Sequence, residues 1–208
     1  MASLNNIAEN IALSIGEQFN MTLRKSIKDS VVDWRAELIK QDLQRNPMSY
    51  TDYLQEIEVE FIEVDYNGRP ILKSKQSIPK PIRQYYNGRI NYNYVGNKNR
   101  DKTFTFATLQ EFNYLSALPF QNNVLYYTVL GQDIYLLNSL KPCKLIVEEV
   151  IADPRLVEDC RFLDKAPDDL EFPVPVDMLS NIKKIIKGEY QTPAKDGAEI
   201  NIDKDDRP

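Results

Sequence analysis

The chain has 208 residues, enough for one domain or for one domain with a sizeable insertion. Its 42% hydrophobic and 27% charged residues support a packed core, and no apolar run approaches the roughly 20 residues that a membrane helix needs. The net charge is −5, histidine is absent and cysteine occurs only as Cys143 and Cys160, which removes the commonest general base, the commonest metal ligand and any CxxC site.

From the N-terminus, Ile7, Ile11, Ile15, Phe19, Leu23, Ile27 and Val31 recur at four-residue steps. A helix turns every 3.6 residues, so a strict four-residue repeat drifts around the axis, and Gly16 and Asn20 mark a break. The pattern predicts two helices, over 4–19 and 21–45. In the second, Leu23, Ile27, Val31, Trp34 and Leu38 share one face, which assigns Trp34 to helix packing. Pro47 disfavours a helical Asn46 and ends that helix.

The period changes to two from Gln55. Ile57, Val59 and Phe61 alternate with Glu56, Glu58 and Glu60, the pattern of a half-buried strand. Asn67-Gly68 predicts a tight hairpin, and a second YNGR at 86–89 predicts a similar turn. The stretch KTFTFAT is expected to pair back with INYNY across VGNKNRD. Thr108 with Glu111 three residues later predicts a capped helix over 109–118. NVLYYTVLGQDIYLLNS reads as a hairpin turning at Gly131-Gln132-Asp133, and CKLIVEEVIAD as the last strand, ending near Asp153. Pro154 opens a short helix through RLVEDC.

The stretch DDLEFPVPVDMLSNIKKIIKGEY carries a full set of helix signals. Pro173 and Pro175 set an extended approach, and Asp177 suits the positive end of the helix dipole. Met178, Leu179, Ile182, Ile185 and Ile186 make one apolar face, which assigns Leu179, Ile182 and Ile186 to helix packing, and Gly188 is the expected stop. After it come six acids, three bases and two prolines, so residues 189–208 are expected to be disordered or extended.

The fold class that follows is α+β, with the terminal helices packed as a helical hub and a β-rich middle. The expected divisions are N-terminal helices over 1–54, the β-rich region over 55–153, C-terminal helices over 154–188 packing on the N-terminal ones, and the polar tail over 189–208.

Charge is unevenly spread. Residues 66–105 hold nine Lys or Arg and one acid, a net +8, which leaves −13 for the rest of a chain whose total is −5. Lys73, Lys75, Lys80, Arg83, Arg89, Lys98, Arg100 and Lys102 are therefore candidates for a surface that meets an anionic partner. Lysines on solvated hairpin edges, guarding against stray strand pairing, explain the same residues. No phosphate-binding glycine loop occurs and no catalytic constellation is visible, so an enzyme is disfavoured and no cofactor or metal is expected. A second class is a single-strand nucleic-acid binder, in which Tyr85, Tyr86, Tyr92 and Tyr94 would stack bases between the cations. Half-buried strand tyrosines give the same pattern.

A helix approached through DDLEFPVPVDML, followed by IKKIIKGE and a polar tail, resembles the C-terminus of the neck proteins of tailed bacteriophages, and most of all the ring proteins of crAss-like phages. The specific part covers 168–190. The resemblance implies a non-enzymatic virion protein, an adaptor beneath the portal whose copies form a ring, usually twelve-fold. It also implies a tail that docks on neighbouring subunits or the portal, here through Tyr190, Ile200 and Ile202. The implied partners are the portal protein and other neck or tail proteins. DNA would pass through the channel without specific binding, with no membrane contact. The implied location is the virion neck, with assembly in the host cytoplasm.

Overall fold

The computed structural model describes residues 2–79, 81–82, 92–118, 124–138, 141, 143–157, 159, 161 and 164–191. The order of elements is α1 (Leu4–Ser14), α2 (Met21–Arg45), a 3-10 turn (Pro47–Tyr53), β1 (Gln55–Tyr66), β2 (Arg69–Ser74), β3 (Tyr94–Gly96), β4 (Thr105–Phe106), α3 (Leu109–Ala117), β5 (Tyr126–Leu130), β6 (Asp133–Leu137) and β7 (Cys143–Glu149). Two more 3-10 turns (Pro154–Leu156 and Pro167–Asp169) lead to α4 (Val176–Gln191). The fold is α+β, as the sequence predicts.

Helices α1, α2 and α4 form the hub. Ser3 caps α1 by accepting from the Asn6 amide, and Leu4, Ile7, Ala8, Ile11 and Ala12 are buried. The helix closes at Ser14, five residues sooner than the four-residue repeat suggests. Gly16 takes the left-handed conformation at φ 83°, and Asn20 starts α2 by accepting from the Leu23 amide at 3.0 Å. Phe19, counted in the repeat, is left 87% exposed. Helix α2 buries Ile27, Val31, Val32, Arg35 and Ile39 and ends at Arg45 before Pro47, as expected.

Helix α4 buries Met178, Ile182 and Ile186 in the same cluster, with Leu179 and Trp34 half-buried against it. Gly188 does not stop this helix, which continues to Gln191. The reason lies in tertiary contacts. The Trp34 indole donates to Glu189 at 3.1 Å and the Tyr190 hydroxyl meets Ser26 Oγ at 2.9 Å. Two such bonds offset the roughly 1 kcal/mol that glycine costs inside a helix.

Asp42 fastens the 3-10 turn to the end of α2. Its carboxylate accepts from Ser49 Oγ and from the Tyr53 hydroxyl, both at 2.7 Å. The Ser49 bond, then the Tyr53 bond, hold the Asp42 carboxyl below its usual range, whereas burial first and Asp42 second push the Tyr53 phenol up. A carboxyl with a lowered folded pKa stabilises the fold above its unfolded value, near 4, and loses that contribution as pH falls. Asp42→Asn should therefore cost about 1–2 kcal/mol at pH 7 and far less at pH 3. Urea melts of both chains at the two pH values check this. An equal gap at both would show that the charge is not involved.

The seven strands follow the order β3-β7-β1-β2-β6-β5-β4. The β1–β2 hairpin turns at Asn67 and Gly68, with φ 54° and 77°, the pair of left-handed residues that a tight turn of this twist demands. The β5–β6 hairpin turns at Gly131-Gln132, and Asp133 already belongs to β6. KTFTFAT does not form a full hairpin with INYNY. β3 lies against β7, and among the described residues the later segment meets 95–97 instead, through a bridge between Gly96 and Thr103, the Phe104 amide donating to Val95 O at 2.8 Å and the Asn97 amide donating to Lys102 O at 3.0 Å. The segment then runs into β4, which pairs with β5 in parallel. The two ends of the strand order thus meet, and the sheet curls into a closed barrel.

Alternate residues fill its interior: Ile57, Val59 and Phe61 of β1, Leu72 of β2, Val95 of β3, Tyr127 of β5, Ile134 and Leu136 of β6, and Leu145 and Val147 of β7. Helix α3, with the expected Thr108–Glu111 capping box, covers part of the outside. Its Phe112 is buried against Ile71, Ala107 and Leu137 and meets the Tyr66 ring edge-on at 6.1 Å. Strand β7 ends at Glu149 rather than near Asp153, and Pro154 begins a single 3-10 turn in place of a helix through RLVEDC. Cys160 and the 86–89 turn lie outside the described residues.

Hub and barrel are joined at Arg35, which is fully buried. Its Nε donates to Pro173 O at 2.6 Å and its Nη1 to Ile151 O at 2.7 Å, while the guanidinium lies 5.8 Å from the Phe172 ring centre. Burial pulls its pKa down to about 10, opposed by Asp153, so it stays charged at neutral pH. Beside it, the Tyr50 hydroxyl donates to the buried Glu149.

Candidate interface surfaces

Of the described basic residues of 66–105, Lys73, Lys75 and Arg100 are met by carboxylates from other parts of the chain. Lys73 on β2 reaches Asp133 of β6 at 2.8 Å and lies 5.7 Å from the Tyr135 ring centre. The hydrogen bond to Asp133 raises its pKa. Strand β1 turns Glu56, Glu58 and Glu60 outward, and each has a cation. Arg100 sits 3.6 Å from Glu56, Lys144 lies 3.6 Å from Glu58, and Lys75 bonds Glu60 at 3.0 Å.

Arg100 also bonds Glu148 of β7 and lies 4.9 Å from the Tyr94 ring centre. Its neighbours Lys98 and Lys102 stand exposed on the 97–102 turn, without an ion pair among the described residues. That turn is locked from within. The Tyr94 hydroxyl donates to Asn97 O at 2.8 Å, and a Cβ at Gly96 would run into the Lys102 carbonyl and the Tyr94 hydroxyl. Lys80, Arg83 and Arg89, with Tyr85 and Tyr86, lie outside the described residues.

Of the two described stacking candidates, Tyr92 and Tyr94, only Tyr94 is partly open to solvent, so they do not form a shared exposed platform such as base stacking would require. Tyr92 is 3% exposed and belongs to the barrel core, its ring 6.4 Å from that of Tyr127, whose hydroxyl donates to Tyr92 O at 3.0 Å. Tyr94 is half-buried against Arg100.

Of the residues assigned to tail docking, Tyr190 lies inside α4 and bonds Ser26 of its own chain. Ile200 and Ile202 lie outside the described residues. The four helix-packing residues, Trp34, Leu179, Ile182 and Ile186, are all brought together in the hub.

A groove of about 550 Å³ runs between the start of β1 and the 154–173 segment. Its charged walls are paired: Arg155 bonds Asp153 at 2.9 Å and Asp29 at 2.7 Å, and Arg161 bonds Asp159 at 2.5 Å. These bonds, led by Asp153 and by Asp159, raise both arginine pKa values. Among the described residues no cluster of His, Cys, Asp or Glu is placed to hold a metal ion, and no helix is long and apolar enough to cross a membrane.

Two features were missed by pattern reading. Arg35 is the polar member of a buried face, four residues from Val31 and from Ile39, and that spacing alone would have marked it. Phe19, counted in the four-residue repeat, and Met21, the first residue of α2, form an exposed corner between α1 and α2.

No curated protein matches the chain. The family described as phage tail ring protein 2 matches residues 6–206, which span both hub segments, the barrel and the tail. The chain belongs to that family of phage tail ring proteins, and it is a structural ring protein of the virion.

Proposed function

We propose that this chain forms a neck ring between the portal and the tail, that its copies close with twelve-fold symmetry, and that the ring extends the channel through which DNA passes. In this reading the hub, residues 1–54 with 154–188, builds the ring, and the barrel region, 55–153, faces the next tail component. The tail beyond Gln191, with Ile200 and Ile202, reaches the portal or a neighbouring copy. Assembly takes place in the host cytoplasm.

The observation that carries the conduit role is the pairing of Lys73, Lys75 and Arg100 with carboxylates. Each pair is locally neutral and adds little to the attraction for phosphate, so these three cations do not grip a polyanion. The burial of Tyr92 works in the same direction, since a buried ring is unavailable for stacking.

The test is to incubate purified protein with portal and image the product by electron microscopy. A closed ring seated on the portal is the expected result, and portals left bare would overturn the placement. In parallel, the free chain should bind short single-stranded DNA weakly and with no dependence on Tyr94. Tight binding lost in Tyr94→Ala would favour a nucleic-acid-binding role instead.

A further inference from the structure

Apart from Leu156, the most exposed large apolar side chains of the hub sit at its two opposite ends. At one end, the α1–α2 corner carries Leu13, Phe19 and Met21, which are 56%, 87% and 73% exposed. At the other, Met48 in the first 3-10 turn is 83% exposed and Val176 at the start of α4 is 79% exposed. The second pair shares an end because α4 runs antiparallel to α2. Asp177 acts on the Tyr53 hydroxyl beside the C-terminus of α2, while Tyr190 bonds Ser26 near its N-terminus. The 25 residues of α2 place the ends roughly 37 Å apart at 1.5 Å per residue.

The two ends also differ in charge. At the α1–α2 corner, Arg24 gives Nη2 to Glu9 at 3.1 Å, but its buried Nε has no partner among the described residues. Lys25 next to it is exposed, as is Glu17 in the same connection, so the corner is close to neutral. At the far end, Asp42 accepts from the Tyr53 hydroxyl at 2.7 Å, Asp52 and Asp177 are exposed, and Arg45 in the last turn of α2 offsets one of these three carboxylates. The dipole of α2 adds to this asymmetry, positive at Met21 and negative at Arg45.

A closed ring of identical subunits is built from a heterologous contact, in which two different surfaces of each copy meet. One apolar corner that carries the exposed Lys25 and one acidic apolar end, on opposite ends of one rigid helix, answer that requirement.

We propose that the hub is the ring-closing element and that its ends meet in succession. The Leu13–Phe19–Met21 corner of one copy covers Met48 and Val176 of the next, and Arg24 and Lys25 face Asp52 and Asp177. The occupant of each patch is a second copy of this chain. The proposal rests on the ring reading and gives it a subunit contact.

Two experiments test it. The first treats ring assemblies purified from phage particles with a zero-length carbodiimide cross-linker and maps the products by mass spectrometry. Lys25 should join Asp52 or Asp177, a bond that the length of α2 forbids within one chain. Cross-links from Lys25 to Asp203 or Asp205 would instead place the polar tail on the corner and overturn the proposal.

The second mixes two variants, Phe19→Asp with Met21→Asp in one chain and Met48→Asp with Val176→Asp in another. All four sites are exposed, so both chains should fold with unchanged circular dichroism. Each variant alone should be a monomer under conditions where the parent chain forms rings. Their mixture should stop at dimers, because only one intact contact remains. Rings formed by either variant would overturn the end-to-end contact while leaving the ring reading intact. A parent chain that is monomeric both in the particle and on the portal would overturn both.

Discussion

Arg35→Ala should lower the stability of the chain by about 3–5 kcal/mol, the largest loss expected from any single change in the hub. The side chain is fully buried and donates to Pro173 O and Ile151 O. Its removal leaves two buried carbonyls without that donor and opens a cavity against Phe172. Because Arg35 lies on α2, Ile151 follows β7 and Pro173 precedes α4, all three parts of the fold loosen together. At the usual scaling for a chain of this size, the melting temperature should fall by roughly 10 °C. Arg35→Met separates the two causes, since it keeps most of the volume but no donor. A methionine variant as stable as the parent would show that packing alone holds this joint.

Ile182→Ala should cost about 2–5 kcal/mol. Ile182 and Ile186 are both fully buried in the cluster that joins α4 to α1 and α2. Losing one of them weakens the only helix that ties the C-terminal segment to the hub among the described residues. The variant should melt earlier, and protease should cut near Glu189 and Tyr190 sooner, because their bonds to Trp34 and Ser26 depend on α4 staying seated. Ile182 and Ile186 stand one turn apart in the same cluster, so their effects should not add. A variant with unchanged melting and unchanged cleavage would mean that this face contributes little to holding α4.

What was legible in the sequence was local. The turn at Asn67-Gly68, the Thr108–Glu111 capping box, the end of α2 before Pro47 and the alternation of β1 each depend on residues within a few positions of one another. What was not legible depends on distant partners. Gly188 looks like a stop until Trp34 and Ser26 come to hold Glu189 and Tyr190. Phe19 continues the apolar repeat on paper, but Gly16 turns the chain before it. The closure of the barrel rests on one bridge and a parallel pair, between segments whose own patterns favour a simple hairpin. The basic count of 66–105 was visible. Its partners were not, because Glu56, Glu60, Asp133 and Glu148 come from three other strands and only the fold brings them alongside.

The hub is made from both termini, and this sets an order of events during synthesis. Leu4, Ile7 and Ile11 emerge long before Ile182 and Ile186, which share their cluster. At about 5–20 residues per second, the ribosome takes roughly 10–35 s to span the gap. For that interval the N-terminal stripe has no C-terminal partner, while every strand of the barrel is made within it. Copies in which 176–191 has not yet been made therefore cannot join one another through a finished hub. Chains stopped before Val176 should then stay soluble only with chaperone present, and a stopped chain that is soluble and monomeric by itself would refute this order.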